Sequence, residues 1–171
     1  MKSTFNALLE KFEDNLYPFH VKVPEDIYTQ FAEQNIKRII VVFNGSAAIH
    51  NAFLPYGKGK YYIKLNKATM KANRFIVGDS ISVTIEKDTS KYGVALAEEM
   101  AELLTLDPEG EALFHKLTPG KIRSLLFKIN NYKSSDKRIE KSVIILEHLK
   151  ANDGVLDWKM LNEAFKSGFK L

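Results

Sequence analysis

The feature that most constrains the fold of this chain is a pattern that recurs within its first half. When the sequence is shifted by 42 residues, the triplet 21–23 (Val-Lys-Val) falls on 63–65 (Ile-Lys-Leu), and the alternate apolar residues Ile39, Val41 and Phe43 fall on Ile81, Val83 and Ile85. Alternation at period two places such side chains on one face of a strand. We therefore interpret residues 1–44 and 45–88 as two copies of a strand–strand–helix–strand unit, with chance similarity as the alternative.

The same order of elements is predicted in each copy. Strands are predicted at 3–12, 17–23 and 37–43, and again at 47–55, 60–65 and 80–88. Short helices are predicted at 25–34, opened by Pro24, and at 67–74, capped by Asn66. Closing the strands into a barrel removes the edges that each three-stranded sheet would expose. We predict an α+β fold, with a closed six-stranded pseudo-twofold β-barrel followed by an α-helical C-terminal segment.

The second half of the chain is predicted to be helical. A polar stretch at 89–93 separates the halves, so we assign a barrel domain to 1–92 and a helical segment, packed on the barrel, to 93–171. Helices are predicted at 95–104 and 108–117, then after a break at 118–120, from Ser135 or Asp136 to Lys150, and in the last part of the chain. The predicted inward residues are Ile122, Leu125, Leu126 and Ile129, then Ile139, Val143, Leu146 and Leu149, then Trp158, Leu161 and Phe165.

The sequence lacks the residues that several classes of protein function require. The 171-residue chain has no cysteine, which excludes thiolate nucleophiles, zinc fingers and iron–sulfur clusters. Its four histidines are scattered, and it has no GxSxG, GxGxxG or phosphate-loop motif. We therefore expect no cofactor and no metal, and an enzyme is only the third alternative. With no long apolar run and no leader pattern, we expect a cytoplasmic protein without a transmembrane segment.

The most specific candidate for a site is a run of basic residues. Residues 58–74 contain Lys58, Lys60, Lys64, Lys67, Lys71 and Arg74 and no acidic residue. On the predicted helix Lys67, Lys71 and Arg74 share one face, while Leu65, Ala68, Ala72 and Phe75 are predicted to point inward. We predict that Lys64, Lys67, Lys71 and Arg74 bind a small anion or an acidic protein surface. The alternative is an ordinary solvated helix face.

Several segments resemble a known family. They are 62–68 (Tyr-Ile-Lys-Leu-Asn-Lys-Ala), 78–88 (Gly-Asp-Ser-Ile-Ser-Val-Thr-Ile-Glu-Lys-Asp), 104–108 (Leu-Thr-Leu-Asp-Pro), 114–119 (Phe-His-Lys-Leu-Thr-Pro) and 137–141 (Lys-Arg-Ile-Glu-Lys). In this order they resemble the YdeI/OmpD-associated proteins, also called bacteriocin-protection-like proteins. The resemblance implies a small N-terminal barrel and a role in envelope-stress or bacteriocin tolerance. It implies no reaction and no catalytic residues.

One departure from that family affects a candidate residue. Family members commonly carry a longer Lys-x-x-Glu-Thr-Arg stretch before the Arg-Ile of the last family helix, whereas this chain has the shorter Lys133–Asp136 loop. The Arg-Ile match carries over only Arg138, which the resemblance makes a further candidate ligand-binding residue.

A second resemblance gives the alternative function. A strand, a short basic helix, Gly-Asp and a strand also form the pattern of AbrB/MazE-like DNA-binding dimers. A twofold DNA reader needs equivalent positive charge on both halves. The first predicted helix instead carries Glu25, Asp26 and Glu33 and no basic residue. We therefore expect that specific DNA binding is unlikely, and that duplex DNA is bound only non-specifically.

Overall fold

The strands of the N-terminal unit surround one apolar interior. The computed structural model describes residues 1–13 and 18–168. The chain divides into two units, Met1–Thr89 and Ser90–Leu171. The first unit contains β1 (Lys2–Lys11), β2 (Phe19–Lys22), α1 (Glu25–Glu33), β3 (Arg38–Phe43), β4 (Ile49–Ala52), β5 (Leu54–Pro55), β6 (Tyr61–Lys64), α2 (Lys67–Asn73) and β7 (Ser80–Lys87). Tyr17, the predicted first residue of the second strand, lies outside the described residues.

The strands form a nearly closed antiparallel barrel in the order β4-β3-β7-β1-β2-β6-β5. The described part of the sheet has seven strands, so the predicted count of six is not confirmed. The difference lies in the predicted strand 47–55, which is interrupted at Phe53: β4 pairs with β3, and β5 pairs with β6. One continuous segment thus serves both edges of the sheet, and it has to bend where it changes neighbour.

A buried asparagine joins the strands where the backbone ladder is missing. Asn51 of β4 donates its side-chain amide to the backbone carbonyl of Lys64 on β6, at 2.9 Å. Its side-chain oxygen accepts a hydrogen bond from the backbone N–H of Ala52 at 3.0 Å. Both functions of the amide are therefore used inside the wall of the barrel, as a buried polar group requires.

The strand registers repeat between the two halves of the barrel. In the β2–β6 ladder Val21 pairs with Ile63, and in the β3–β7 ladder Val42 pairs with Thr84. In both pairs the two residues are separated by the same 42-residue shift that the sequence shows. Corresponding strands therefore face each other in the way that a duplicated unit would require, which supports the duplication hypothesis.

The first strand of each half departs from that shift by two residues. Glu10 pairs with His20 between β1 and β2, and Leu54 pairs with Tyr62 between β5 and β6. Residues 10 and 54 are thus equivalent in pairing, although they are 44 rather than 42 positions apart. The spacing between the paired residues explains this, because ten positions separate Glu10 from His20 and eight separate Leu54 from Tyr62.

The predicted inward residues of the central strands form the core of the barrel. Ile39, Val41, Phe43, Ile81, Val83 and Ile85 are all buried in one cluster. Each short helix adds one buried side chain to it, Phe31 from α1 and Met70 from α2. The helices cover the apolar interior, which explains why a barrel of short strands has a complete core.

Helix α2 begins as the sequence predicts, but its inward face differs. The side chain of Asn66 accepts a hydrogen bond from the backbone N–H of Thr69 at 2.7 Å and caps the helix. Ala68 and Ala72, which were predicted to point inward, are exposed. Met70 is the buried residue of this seven-residue helix, while the predicted inward residues Leu65, which is buried, and Phe75, which packs against the core, flank it.

The second unit consists of helices in its described part. They are α3 (Glu98–Leu106), α4 (Pro108–Lys116), α5 (Pro119–Asn130), α6 (Ser135–Ala151) and α7 (Trp158–Ser167). The predicted inward residues of α5 are all buried: Ile122, Leu125, Leu126 and Ile129. The predicted break at 118–120 is the start of α5, since Thr118 is its N-cap and Pro119 its first residue.

The long helix α6 differs from its prediction at its start. Ser134, rather than Ser135 or Asp136, caps it by accepting a hydrogen bond from the backbone N–H of Lys137. Ile139 is exposed, and Val143 is only half-buried. The first turns of α6 lie outside the apolar cluster of this unit, to which the helix contributes Ile144, Ile145, Leu146 and Leu149.

Candidate anion-binding groove

A groove of about 490 Å³ lies beside α2 on the surface of the barrel unit. It is lined by residues from the start of β2, from α2 and from the segment that follows α2: Phe19, Lys67, Met70, Lys71, Arg74, Phe75, Ile76 and Val77. Three of the four basic residues predicted from the sequence run therefore line one recess.

Helix α2 sets the positions of the three cations. Lys67 is its first residue, Lys71 lies in its last turn, and Arg74 ends it in the left-handed conformation at φ 55°. All three side chains are exposed. The lining of the groove includes no carboxylate among the described residues. The rim of the groove is therefore positively charged and favours an anion.

The floor and one lip of the groove are apolar. Met70 and Phe75 lie in the floor and belong to the edge of the barrel core. Ile76 and Val77 are 70% and 48% exposed. The turn that carries them is fixed, because the backbone N–H of Ile76 donates to the Asp79 carboxylate at 2.8 Å. The basic run in the sequence did not predict this apolar part of the groove. The feature that could have indicated it is the aliphatic pair directly before the Gly78-Asp79 turn.

Lys64 does not line the groove with the other three cations. It lies on β6, half-buried, and its backbone carbonyl accepts the hydrogen bond from Asn51. Burial lowers the pKa of its amine, and the nearby charge of Arg38 lowers it further. The strand and the helix carry the side chains of Lys64 and Lys67 into different surroundings, although only two residues separate them in the sequence.

Arg138 is held by internal partners. Its Nε and Nη2 donate to both oxygens of Glu99, at 2.8 and 2.7 Å. This pair of hydrogen bonds joins α6 to α3. Its Nη1 donates to the backbone carbonyls of Tyr132 and Lys133 at 2.9 and 3.0 Å. The hydrogen bond from Arg138 is the largest cause that lowers the pKa of Glu99 to about 2. This pairing gives Arg138 a structural role, and it does not favour the predicted role in binding an anion.

Residues 1–13 and 18–168 contain no group of three or more His, Cys, Asp or Glu side chains placed to hold a metal ion. Within the same residues, none of the helices has the length and apolar character needed to cross a bilayer. In one pairing of a histidine with a carboxylate, His50 Nδ1 lies 2.8 Å from Asp88 Oδ2.

Comparison with known families places the groove inside a recognised domain. Residues 5–85 match the model of the family described as Domain of unknown function (DUF1905). The matched residues run from β1 into β7 and include every residue that lines the groove. The N-terminal unit is therefore a barrel domain of unknown function, and the match does not extend to the helical unit. A search of curated proteins found no match to the chain.

Proposed function

We propose that this chain is a non-enzymatic binding protein whose groove beside α2 holds an anionic ligand. The observation that carries the proposal is the convergence of Lys67, Lys71 and Arg74 on one recess without an acidic residue in its lining. Three exposed cations on one rim attract a negatively charged group and hold it by charge-assisted hydrogen bonds.

The position of Lys67 supports a role in binding rather than in folding. The first turn of a helix favours acidic side chains and disfavours cations, because the backbone N–H groups there carry partial positive charge. Helix α1 follows this rule with Glu25 and Asp26, whereas α2 has no acidic residue in its first turn and begins with Lys67. A cation at this position is unfavourable for the helix dipole, and an anion bound beside it offsets that cost.

The family resemblance suggests the setting in which such binding acts. We extend the proposal to a YdeI/OmpD-associated type of protein that acts in the cytoplasm, in envelope-stress or bacteriocin tolerance. In this proposal the chain acts through an anionic ligand or an acidic partner surface, and it needs no catalytic residues and no cofactor.

The proposal is tested by titrating the protein with inorganic pyrophosphate at low salt. We expect the double variant Lys67→Glu/Lys71→Glu to weaken binding at least tenfold. The control is Lys37→Glu/Lys60→Glu, which changes the net charge equally at exposed residues outside the groove lining. A similar loss in both double variants would show that only overall charge matters and would contradict the site.

The AbrB/MazE-like alternative predicts a different result with DNA. A barrel with Glu25, Asp26 and Glu33 on one helix and three cations beside the other offers phosphate only one attractive face. We expect duplexes of unrelated sequence to bind equally weakly and to dissociate as salt approaches about 200 mM. Sequence-selective binding that survives this salt, and that is lost in Lys67→Glu/Lys71→Glu, would favour the DNA-binding alternative.

A further inference from the structure

Resting on the proposed function, we propose that the ligand of the groove is a single-chain anionic amphiphile, such as an alkyl phosphate or a long-chain carboxylate. Its charged head lies between Lys67, Lys71 and Arg74, and its aliphatic chain lies over the apolar floor and lip. The inference rests on the combination of charge and apolar surface in one recess.

The apolar surface exceeds what a small hydrophilic anion would use. Five of the eight residues that line the groove are apolar: Phe19, Met70, Phe75, Ile76 and Val77. A free phosphate contacts N–H donors and gains nothing from aliphatic side chains, whereas an alkyl chain is bound in proportion to the apolar area that it buries. The floor therefore selects for a ligand with a tail.

The aliphatic side chains of the lip are exposed to solvent and held at a fixed position. Ile76 and Val77 are held by the turn that Asp79 fastens. Exposed aliphatic side chains that adjoin a recess mark ligand or partner surfaces more often than isolated ones do. Ile76 and Val77 thus add exposed apolar surface beside the floor of the groove.

A monomeric amphiphile fits this shape better than a bilayer surface does. The groove has a volume of about 490 Å³ and an apolar lining of five side chains, which is the scale of a pocket for one small ligand. One alkyl chain enters the recess and contacts floor and lip together, while its head reaches the cations at the rim. We therefore assign the groove to a single chain.

The test is a calorimetric series of hexyl, octyl and decyl phosphate, each below its critical micelle concentration, with inorganic phosphate and pyrophosphate as probes without a tail. We expect affinity to rise about fourfold with each added methylene, which corresponds to about 0.8 kcal/mol. Decyltrimethylammonium, which has the same tail and the opposite charge, is expected to bind at least tenfold more weakly than decyl phosphate.

A variant of the lip separates the tail from the head. We expect Ile76→Ser/Val77→Ser to reduce the gain per methylene and to leave the affinity for pyrophosphate unchanged, because both side chains are exposed and make no part of the core. The control is Leu106→Ser/Val155→Ser, which removes exposed aliphatic side chains in the helical unit. It should change neither quantity.

The outcomes distinguish this inference from the proposed function. Pyrophosphate binding with no dependence on chain length would overturn the amphiphile and leave the anion site standing. Absence of binding for every anion would overturn both. Binding to anionic phospholipid vesicles without binding to the monomeric alkyl phosphates would overturn the single-chain ligand in favour of a membrane surface.

Discussion

The two short helices of the barrel occupy corresponding places in its two halves, yet their surfaces are opposite. Each contributes one buried side chain to the same core, Phe31 from α1 and Met70 from α2. Outside, α1 carries three acidic residues and no basic one, while α2 carries lysines and ends at Arg74. Packing constrains the inward residue of each helix, whereas the outward residues are free to differ. The similarity of the halves therefore explains the fold, and their difference indicates the site.

The largest expected effect tests whether the two helices are structural counterparts. We expect Phe31→Ala to lower the free energy of unfolding by about 3–5 kcal/mol and Met70→Ala by about 2–5 kcal/mol, because both leave cavities under a helix. Urea denaturation followed by circular dichroism measures both. If Met70→Ala cost less than about 1 kcal/mol while Phe31→Ala cost its full amount, α2 would not be an equivalent support of the core.

The next prediction contrasts the cations of α2 with Arg138, whose charge is already paired. We expect Arg138→Gln to destabilise the chain and to leave pyrophosphate binding unchanged. Arg138, followed by Ser135 and a backbone hydrogen bond, lowers the pKa of Glu99 from 4.5 to about 2, so the folded state releases this proton more readily than the unfolded state does. The stabilisation is complete above about pH 4.5 and is lost as the pH falls toward about 2.

Denaturation midpoints at a series of acidic pH values check that window. The wild-type chain should lose more stability than Arg138→Gln between about pH 4.5 and 2, since the variant has already lost the ion pair. Equal acid sensitivity of the two proteins would show that the pair does not contribute. Loss of pyrophosphate binding in Arg138→Gln, with the fold intact, would instead restore Arg138 as a ligand-binding residue.

A smaller effect is expected at the helix starts. Asn66 caps α2 through its bond to the backbone N–H of Thr69, whereas Pro24 at the start of α1 makes no side-chain cap bond. We expect Asn66→Ala to cost about 1 kcal/mol. Pro24→Ala should cost less, because it removes no capping acceptor. Urea denaturation of both variants provides the comparison, and equal losses would contradict the role of the cap.

The smallest effect has opposite signs for stability and binding. We expect Lys67→Glu to stabilise the fold by about 0.3–1 kcal/mol, because an acidic residue in the first turn of α2 suits the helix dipole as Glu25 does in α1. The same variant should weaken pyrophosphate binding. Thermal denaturation and titration of one preparation measure both changes. Reduced stability together with reduced binding would indicate that Lys67 supports the fold instead.

Much of the barrel could be predicted because its signals are local. Alternation at Ile39, Val41 and Phe43 indicates which side of a strand is buried, and the capping residue Asn66 marks the start of a helix. The interruption at Phe53 could not be predicted in this way. It results from an exchange of neighbours between β3 and β6, which no pattern within 47–55 records.

The candidate site shows the same limit. Helical spacing predicted that Lys67, Lys71 and Arg74 share one face, because their arrangement depends on one short helix, and all three line one groove. The pairing of Arg138 with Glu99 joins residues 39 positions apart, and no local pattern indicates such a partner. Lys64 lies near in sequence, but the change from strand to helix directs it elsewhere. Local spacing predicts contacts within one element, and contacts between elements require the structure.

The bridge from Asn51 to the backbone of Lys64 has a consequence for how the barrel moves. The other junctions in the sheet are ladders, so separating them breaks several backbone bonds together, whereas β4 and β6 are joined here by a side-chain amide. Local opening needs the least free energy where the fewest cooperative bonds are lost. The barrel therefore behaves as a curled sheet with one longitudinal seam. We expect transient opening along that seam, so amide exchange in β4 should outpace exchange in β7.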